Sequence, residues 1–86
     1  MSYTIIYDKR ALADKSKLTA AKLIDKVQKL CNELAINPTH PNSKRLYRDL
    51  VGKRSIRINL QHRLVYQILE DKKIIKIFRM WGHYDR

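Results

Sequence analysis

Ten basic or ring-bearing side chains in the second half of this 86-residue chain have the types that chemistry on a phosphodiester requires: Lys44, Arg45, Lys53, Arg54, Arg57, His62, Arg63, Arg79, His83 and Tyr84. Cleaving such an ester calls for fixed donors around the charge that develops on phosphate, which arginine supplies, and for a proton donor to the departing oxygen, which histidine supplies. The best placed donors are Arg57, in the alternating stretch SIRINL, and Arg63, opposite in phase to Leu64, Tyr66 and Ile68; both are expected on the exposed face of one sheet. His83 is the candidate acid. Each residue also has a plainer reading. An arginine on a strand is usually a solvated side chain, His62 at a strand start is more often a structural hydrogen-bonding residue, and rings near a terminus are often frayed surface. Trp81, Tyr47 and Tyr66 read first as packing residues, Tyr66 on the apolar face of its strand.

Other chemistries find no support. The sequence has no P-loop, no GxGxxG, no HExxH and no Cys/His cluster at zinc spacing, so neither a metal nor a nucleotide cofactor is expected. The single cysteine, Cys31, recurs in register with the apolar residues of a helix and reads as a core residue.

The elements that must position these residues follow from periodicity. Tyr3 to Tyr7 (YTIIY), rich in aromatic and β-branched residues, predicts a short opening strand. Helix formers begin at Ala11, with a polar break around Ser16, and predict a short first helix. From Thr19 to Ile36, apolar residues Ala20, Leu23, Ile24, Val27, Leu30, Cys31 and Leu34 recur every three or four positions, the stripe of an amphipathic helix, with Lys22, Lys26, Gln28, Lys29 and Asn32 mainly elsewhere on its surface. Asn37-Pro38 ends it. Residues 37–54 hold both prolines and little periodicity, and read as a connecting loop anchored by Leu46 and Leu50. Ser55 to Leu60 alternates with Ile56, Ile58 and Leu60 on one face, Arg63 to Leu69 is a second strand, and Glu70 to Lys73 is a turn into a third strand, Ile74 to Trp81. The expected fold is α+β in the order β-α-α-β-β-β, a curved antiparallel sheet with two helices packed on one face, in a single domain over residues 1–86.

Composition sets the class. Nineteen Lys and Arg against eight Asp and Glu give a net charge of +11, of which residues 1–43 contribute +3 and residues 44–86 contribute +8. Solubility needs far less imbalance than this, and the surface it creates draws polyanions whatever their sequence. A chain of this length builds one core and excludes a Rossmann enzyme or a kinase. No apolar run approaches the roughly 18 residues that span a bilayer, and the N-terminus has no signal-peptide pattern, so the expectation is a cytoplasmic protein without a membrane partner.

The segment G-x-x-x-x-R-I-x-x-x-H-R-L-V-Y at Gly52 to Tyr66, followed by a final strand ending in W-x-H-Y at Trp81 to Tyr84, resembles the YoeB/Txe branch of RelE/ParE-superfamily toxins. The element order, small size and basic charge fit that superfamily; the first half of the chain matches only in layout. The resemblance implies a toxin of a type II toxin-antitoxin pair, a RelE-like fold similar to microbial ribonucleases, and cleavage of messenger RNA in the ribosomal A site. It also implies attack of the RNA 2′-hydroxyl on the adjacent phosphate without a metal. Arg63 and Arg57 would stabilise the pentacoordinate phosphate, His83 would protonate the departing 5′ oxygen, and Tyr84 would position the phosphate or stack on a base. Lys44, Arg45, Lys53, Arg54 and Arg79 would serve RNA binding. The implied partners are the ribosome with its mRNA and a small acidic antitoxin; a homodimer is neither required nor excluded.

One position departs from the pattern. Where YoeB relatives carry a glutamate as general base, two positions before the leucine aligned with Leu46, this chain has Lys44. Lys44 or Arg45 could activate the hydroxyl electrostatically, Asp49 could substitute, or the ribosome could supply the base. Asp85-Arg86 also extends past the tyrosine where the family often ends. Two other functions share the fold: a ParE-type toxin that acts on DNA gyrase without nuclease chemistry and has no need of His83-Tyr84, and an RNA-binding homologue whose activity has been lost.

Overall fold

The computed structural model of the protein describes residues 2–82. The chain runs β1 (Thr4–Tyr7), α1 (Lys9–Ala20), α2 (Ile24–Ile36), β2 (Ser43–Arg45), a 3-10 turn (Arg48–Leu50), β3 (Arg54–Arg57), β4 (Arg63–Leu69), a second 3-10 turn (Glu70–Lys72) and β5 (Ile74–Arg79). The five strands form one sheet in the order β1-β5-β4-β3-β2.

The α+β class and the β3-β4-β5 meander agree with expectation, and two features correct it. The sheet is mixed, because β1 pairs in parallel with β5, Thr4 opposite Ile74 and Tyr7 opposite Ile77, while the other pairings are antiparallel. A strand pair separated by nearly the whole chain carries no local turn signal, so its direction cannot be read from spacing. The expected loop over 37–54 also contains a strand, β2, whose three residues SKR are too few and too polar to show alternation.

The helices also divide differently. α1 continues through the polar stretch at Ser16 to Ala20, and α2 begins at Ile24. Between them Lys22 takes a left-handed backbone, φ 60°. The Leu23 N–H donates to the Leu18 carbonyl (2.8 Å) and the Lys22 N–H to the Thr19 carbonyl (3.1 Å), the paired bonds of a Schellman cap. Leu18 and Leu23 both pack into the core, the apolar contact that accompanies this cap. At the other end Asp8 caps α1, its carboxylate accepting from the Arg10 N–H (3.1 Å).

One face of the sheet meets the helices. Ile56, Leu64, Tyr66, Ile75 and Ile77 are buried with Ala11, Leu18, Val27, Cys31 and Leu34. The Tyr66 hydroxyl, at the centre of this core, donates to the Pro38 carbonyl (2.6 Å) and so fixes the chain that leaves α2. Asp14 is one of the buried polar side chains: it accepts from Arg79 Nε (3.1 Å) and from the Met80 N–H (2.9 Å), locking α1 onto the end of β5. A bulge lies between Val65 and Tyr66, where Val65 pairs Arg79 and Tyr66 pairs Ile77.

Candidate functional site

A cleft of about 840 Å³ opens at the end of β3. Lys26 and Leu30 of α2, Asn42 to Lys44 at the start of β2, Ile56 to Leu60, and Arg63 at the start of β4 line it, with Pro41 at its rim. Four of these residues are cationic, Lys26, Lys44, Arg57 and Arg63, and none carries a carboxylate. The cleft is therefore a ready site for a polyanion.

Each cation comes from a separately anchored element. Arg57 and Arg63 are direct partners in the β3–β4 register, so their side chains leave the same face of the sheet. Arg57 is exposed as expected; Arg63, expected beside it in solvent, is only 3% exposed. The Arg63 backbone is held where two segments meet. Its N–H donates to the Gly82 carbonyl (2.8 Å), and the tight turn over residues 58–62 folds back at its side. That turn is held by Asn59 Oδ1, which accepts from the Gln61 and His62 N–H groups (2.9 and 2.8 Å), and by the Ile58 N–H donating to the His62 carbonyl (2.9 Å). It ends β3 at Arg57, so Ile58 is buried but Leu60, expected on the same apolar face, is 81% exposed at the rim of the cleft.

Lys44 stands on the edge strand β2 and is exposed. The approach to β2 is tied down by His40: Nε2 meets Glu33 Oε1 (2.9 Å) on α2, Nδ1 accepts from the Asn42 N–H (3.0 Å), and its carbonyl accepts from the Ser43 N–H (2.9 Å) and hydroxyl (2.7 Å). Asp49, in the first 3-10 turn, is not among the residues that line the cleft.

The other candidates lie elsewhere. Arg45, Lys53 and Arg54 border a second hollow of about 350 Å³, with Leu46, Tyr47, Val51, Gly52 and Ile68. Arg54 donates to the Ser43 hydroxyl through Nε and Nη2 (3.2 and 2.9 Å), and the Lys53 ammonium sits 4.8 Å from the Phe78 ring centroid. Arg79 is bound to Asp14 on α1. His62 is buried, its ring stacked on Trp81 with centroids 3.8 Å apart. His83 and Tyr84 lie outside the described residues. Reading the sequence alone missed Lys26, which looks like a solvated helix lysine until the fold brings it to the cleft with Arg57 and Arg63. Among the described residues, no three His, Cys, Asp or Glu side chains gather as metal ligands would.

Residues 5–85 match the model of the family described as ParE toxin of type II toxin-antitoxin system, parDE. The chain belongs to this family. Solved structures place this ParE-family chain in the RelE/ParE superfamily, with a YoeB-like form. A YoeB-YefM complex from Staphylococcus aureus is 27% identical, with a TM-score of 0.80 over 98% of this chain and 100% of that one. A RelBE2 toxin-antitoxin complex from Mycobacterium tuberculosis is 26% identical, with a TM-score of 0.81 over 96% and 100%. A YoeB/ParE toxin from Agrobacterium tumefaciens is 20% identical with a TM-score of 0.85 over 94% and 99%, a likeness of fold. A search of curated proteins found no match.

Proposed function

We propose that this ParE-family toxin is a ribosome-dependent endoribonuclease that stops translation by cutting messenger RNA in the A site. The observation that supports this most strongly is the cleft in which Lys26, Lys44, Arg57 and Arg63 face one space, with no carboxylate among the described residues that line it. In the proposed reaction the RNA 2′-hydroxyl gives its proton to water or to a base supplied by the ribosome, its oxygen bonds to the adjacent phosphorus, and the bond to the 5′ oxygen breaks. A 2′,3′-cyclic phosphate is left, open to hydrolysis to the 3′-phosphate. Arg63 and Arg57 compensate the charge gathered on the phosphate oxygens, and His83 gives its proton to the departing 5′ oxygen. Tyr84 holds the phosphate or stacks on a base. Arg63 acts as a fixed, desolvated donor, which is worth more in a transition state than a mobile one in water.

The position of Lys44 bears on the base. Lys44 lines the cleft and Asp49 does not, which supports electrostatic activation of the 2′-hydroxyl by Lys44 over proton removal by Asp49. Arg45, Lys53 and Arg54 extend the cationic surface toward β2 and serve flanking RNA. The partners are the ribosome with its mRNA, in the cytoplasm, and an acidic antitoxin that covers the cationic surface; the similar structures from Staphylococcus aureus and Mycobacterium tuberculosis are toxin-antitoxin complexes. No helix among the described residues is long and apolar enough to cross a membrane.

Primer extension on a defined message in a purified translation system tests the reading. Wild type is expected to give A-site cuts. Arg63→Ala and His83→Ala are each expected to slow them by about 100-fold or more, the usual effect of losing a fixed transition-state donor or a general acid. The matching family model favours one other reading, action on DNA gyrase. Intact message together with gyrase-dependent DNA breaks would establish that reading instead.

A further inference from the structure

Among the described residues, a ring stack and four hydrogen bonds converge on His62, one of them from its own N–H to Asn59 Oδ1 (2.8 Å). Its ring stacks on Trp81 at 3.8 Å with an interplanar angle of 24°. Its Nδ1 accepts from the Gly82 N–H at 3.0 Å. The next residue, Arg63, donates its N–H to the Gly82 carbonyl at 2.8 Å, so both polar groups of the Gly82 backbone are held by consecutive residues of the 62–63 pair. The His62 carbonyl, in turn, accepts from Ile58 and Asn59 (2.9 and 3.3 Å) and closes the turn that carries Leu60 at the rim of the cleft. Gly82 has φ +105°, a backbone that a larger residue adopts only under strain.

We propose that His62 is a positioning residue of the candidate site: it pins the chain leaving β5, at Trp81-Gly82, against Arg63. The inference rests on the nuclease reading for its functional consequence, since the two residues that follow Gly82 in sequence are His83 and Tyr84. The bond from Gly82 requires Nδ1 to be unprotonated, which puts the ring proton on Nε2. A fixed Gly82 backbone sets the point from which His83 follows in sequence, and placement errors of about 1 Å near reacting groups cost on the order of 100-fold in rate. The stack and the acceptor do separable work: the stack fills space over the Trp81 ring, while the acceptor fixes the direction in which the chain leaves Gly82.

Two substitutions separate them. His62→Phe keeps a ring over Trp81 and loses the acceptor; His62→Asn keeps an acceptor near the place of Nδ1 and loses most of the stack. In single-turnover cleavage on saturating ribosomes, His62→Phe is expected to be slowed by about 10- to 100-fold with apparent ribosome affinity unchanged. His62→Asn is expected to recover most of that rate, and His62→Phe is expected to add no further loss in the His83→Ala background. A His62→Phe rate equal to wild type, or losses that are independent in the double variant, would overturn the proposal. Amide hydrogen exchange of Gly82 provides a readout that does not depend on cleavage. Protection is expected in wild type and His62→Asn and its loss in His62→Phe; a Gly82 amide that exchanges freely in wild type overturns the tether outright. Wild type that cuts no message but protects Gly82 removes the nuclease reading while leaving the tether in place.

Discussion

Tyr7 shows how a single side chain shapes the pH range of the fold. Its hydroxyl lies 4.0 Å from Cys31 Sγ between β1 and α2, and burial, followed by the thiol, pushes its pKa from 10.0 up to about 12. Burial likewise pushes the Cys31 thiol up, which keeps it protonated and unreactive in keeping with its place in the core. For tyrosine the neutral form is favoured in the folded state, so above pH 10 the unfolded chain releases its proton first. Stability therefore falls as pH rises through the window from 10.0 to about 12. Tyr3 moves in the same direction through its hydrogen bond to Glu70. Tyr7→Phe is expected to shrink the alkaline loss of stability without removing it and to leave stability at neutral pH nearly unchanged, as measured by urea denaturation at pH 8 and pH 11. A steeper alkaline loss in the variant would contradict this account.

At the scale of elements, the contact between α1 and β5 rests on a polar group inside the core. Asp14 is 1% exposed and accepts from both Arg79 and the Met80 N–H, whereas the Arg79 side chain keeps 30% of its surface. Removing either partner is unequal for that reason. Arg79→Ala strands a buried carboxylate, at a cost of about 3 kcal/mol, whereas Asp14→Asn keeps an acceptor for the Met80 N–H and costs about 1–2 kcal/mol. Thermal unfolding is expected to rank Arg79→Ala well below Asp14→Asn, by several degrees or more for a chain of this size. The α1–α2 junction offers the opposite change. Lys22 occupies a left-handed position that costs about 1 kcal/mol for a residue with a Cβ, so Lys22→Gly is expected to raise the melting temperature by a few degrees. The same junction shows why part of the fold was illegible. The apolar stripe from Ala20 to Leu34 was plain, but the turn at Lys22 has no glycine or proline to mark it and is specified by Leu18 and Leu23 finding the core. The meander was legible because its strands are local and alternate. β2 was not, because three polar residues show no alternation, and the parallel β1–β5 pair was not, because its partners are distant in sequence. At the site, Arg57 and Arg63 could be placed on one face from alternation alone, while the burial of Arg63 and the place of Lys26 at the cleft depend on tertiary packing that alternation does not encode.

For the whole molecule, the question is whether the charge of +11 acts as a diffuse field or through the cleft. A field spread over the surface would make every lysine nearly equivalent. A localised site instead releases counterions from the phosphates it neutralises, and for single strands log K falls with log salt at a slope of about −0.7 per contact. Four cleft cations, Lys26, Lys44, Arg57 and Arg63, then predict a slope of about −3 for a short single-stranded RNA. Lys44→Ala is expected to reduce its magnitude by about 0.7 and to weaken binding alike across sequences, because a phosphate contact carries no base information. Lys72, in the turn at the far end of β4, lines neither hollow and serves as the control. Fluorescence anisotropy across a salt series decides between the two pictures. Equal slopes for Lys44→Ala and Lys72→Ala would mean that RNA is held by overall charge, whereas a change confined to Lys44→Ala ties the binding to the space between α2 and β3 where the proposed chemistry takes place.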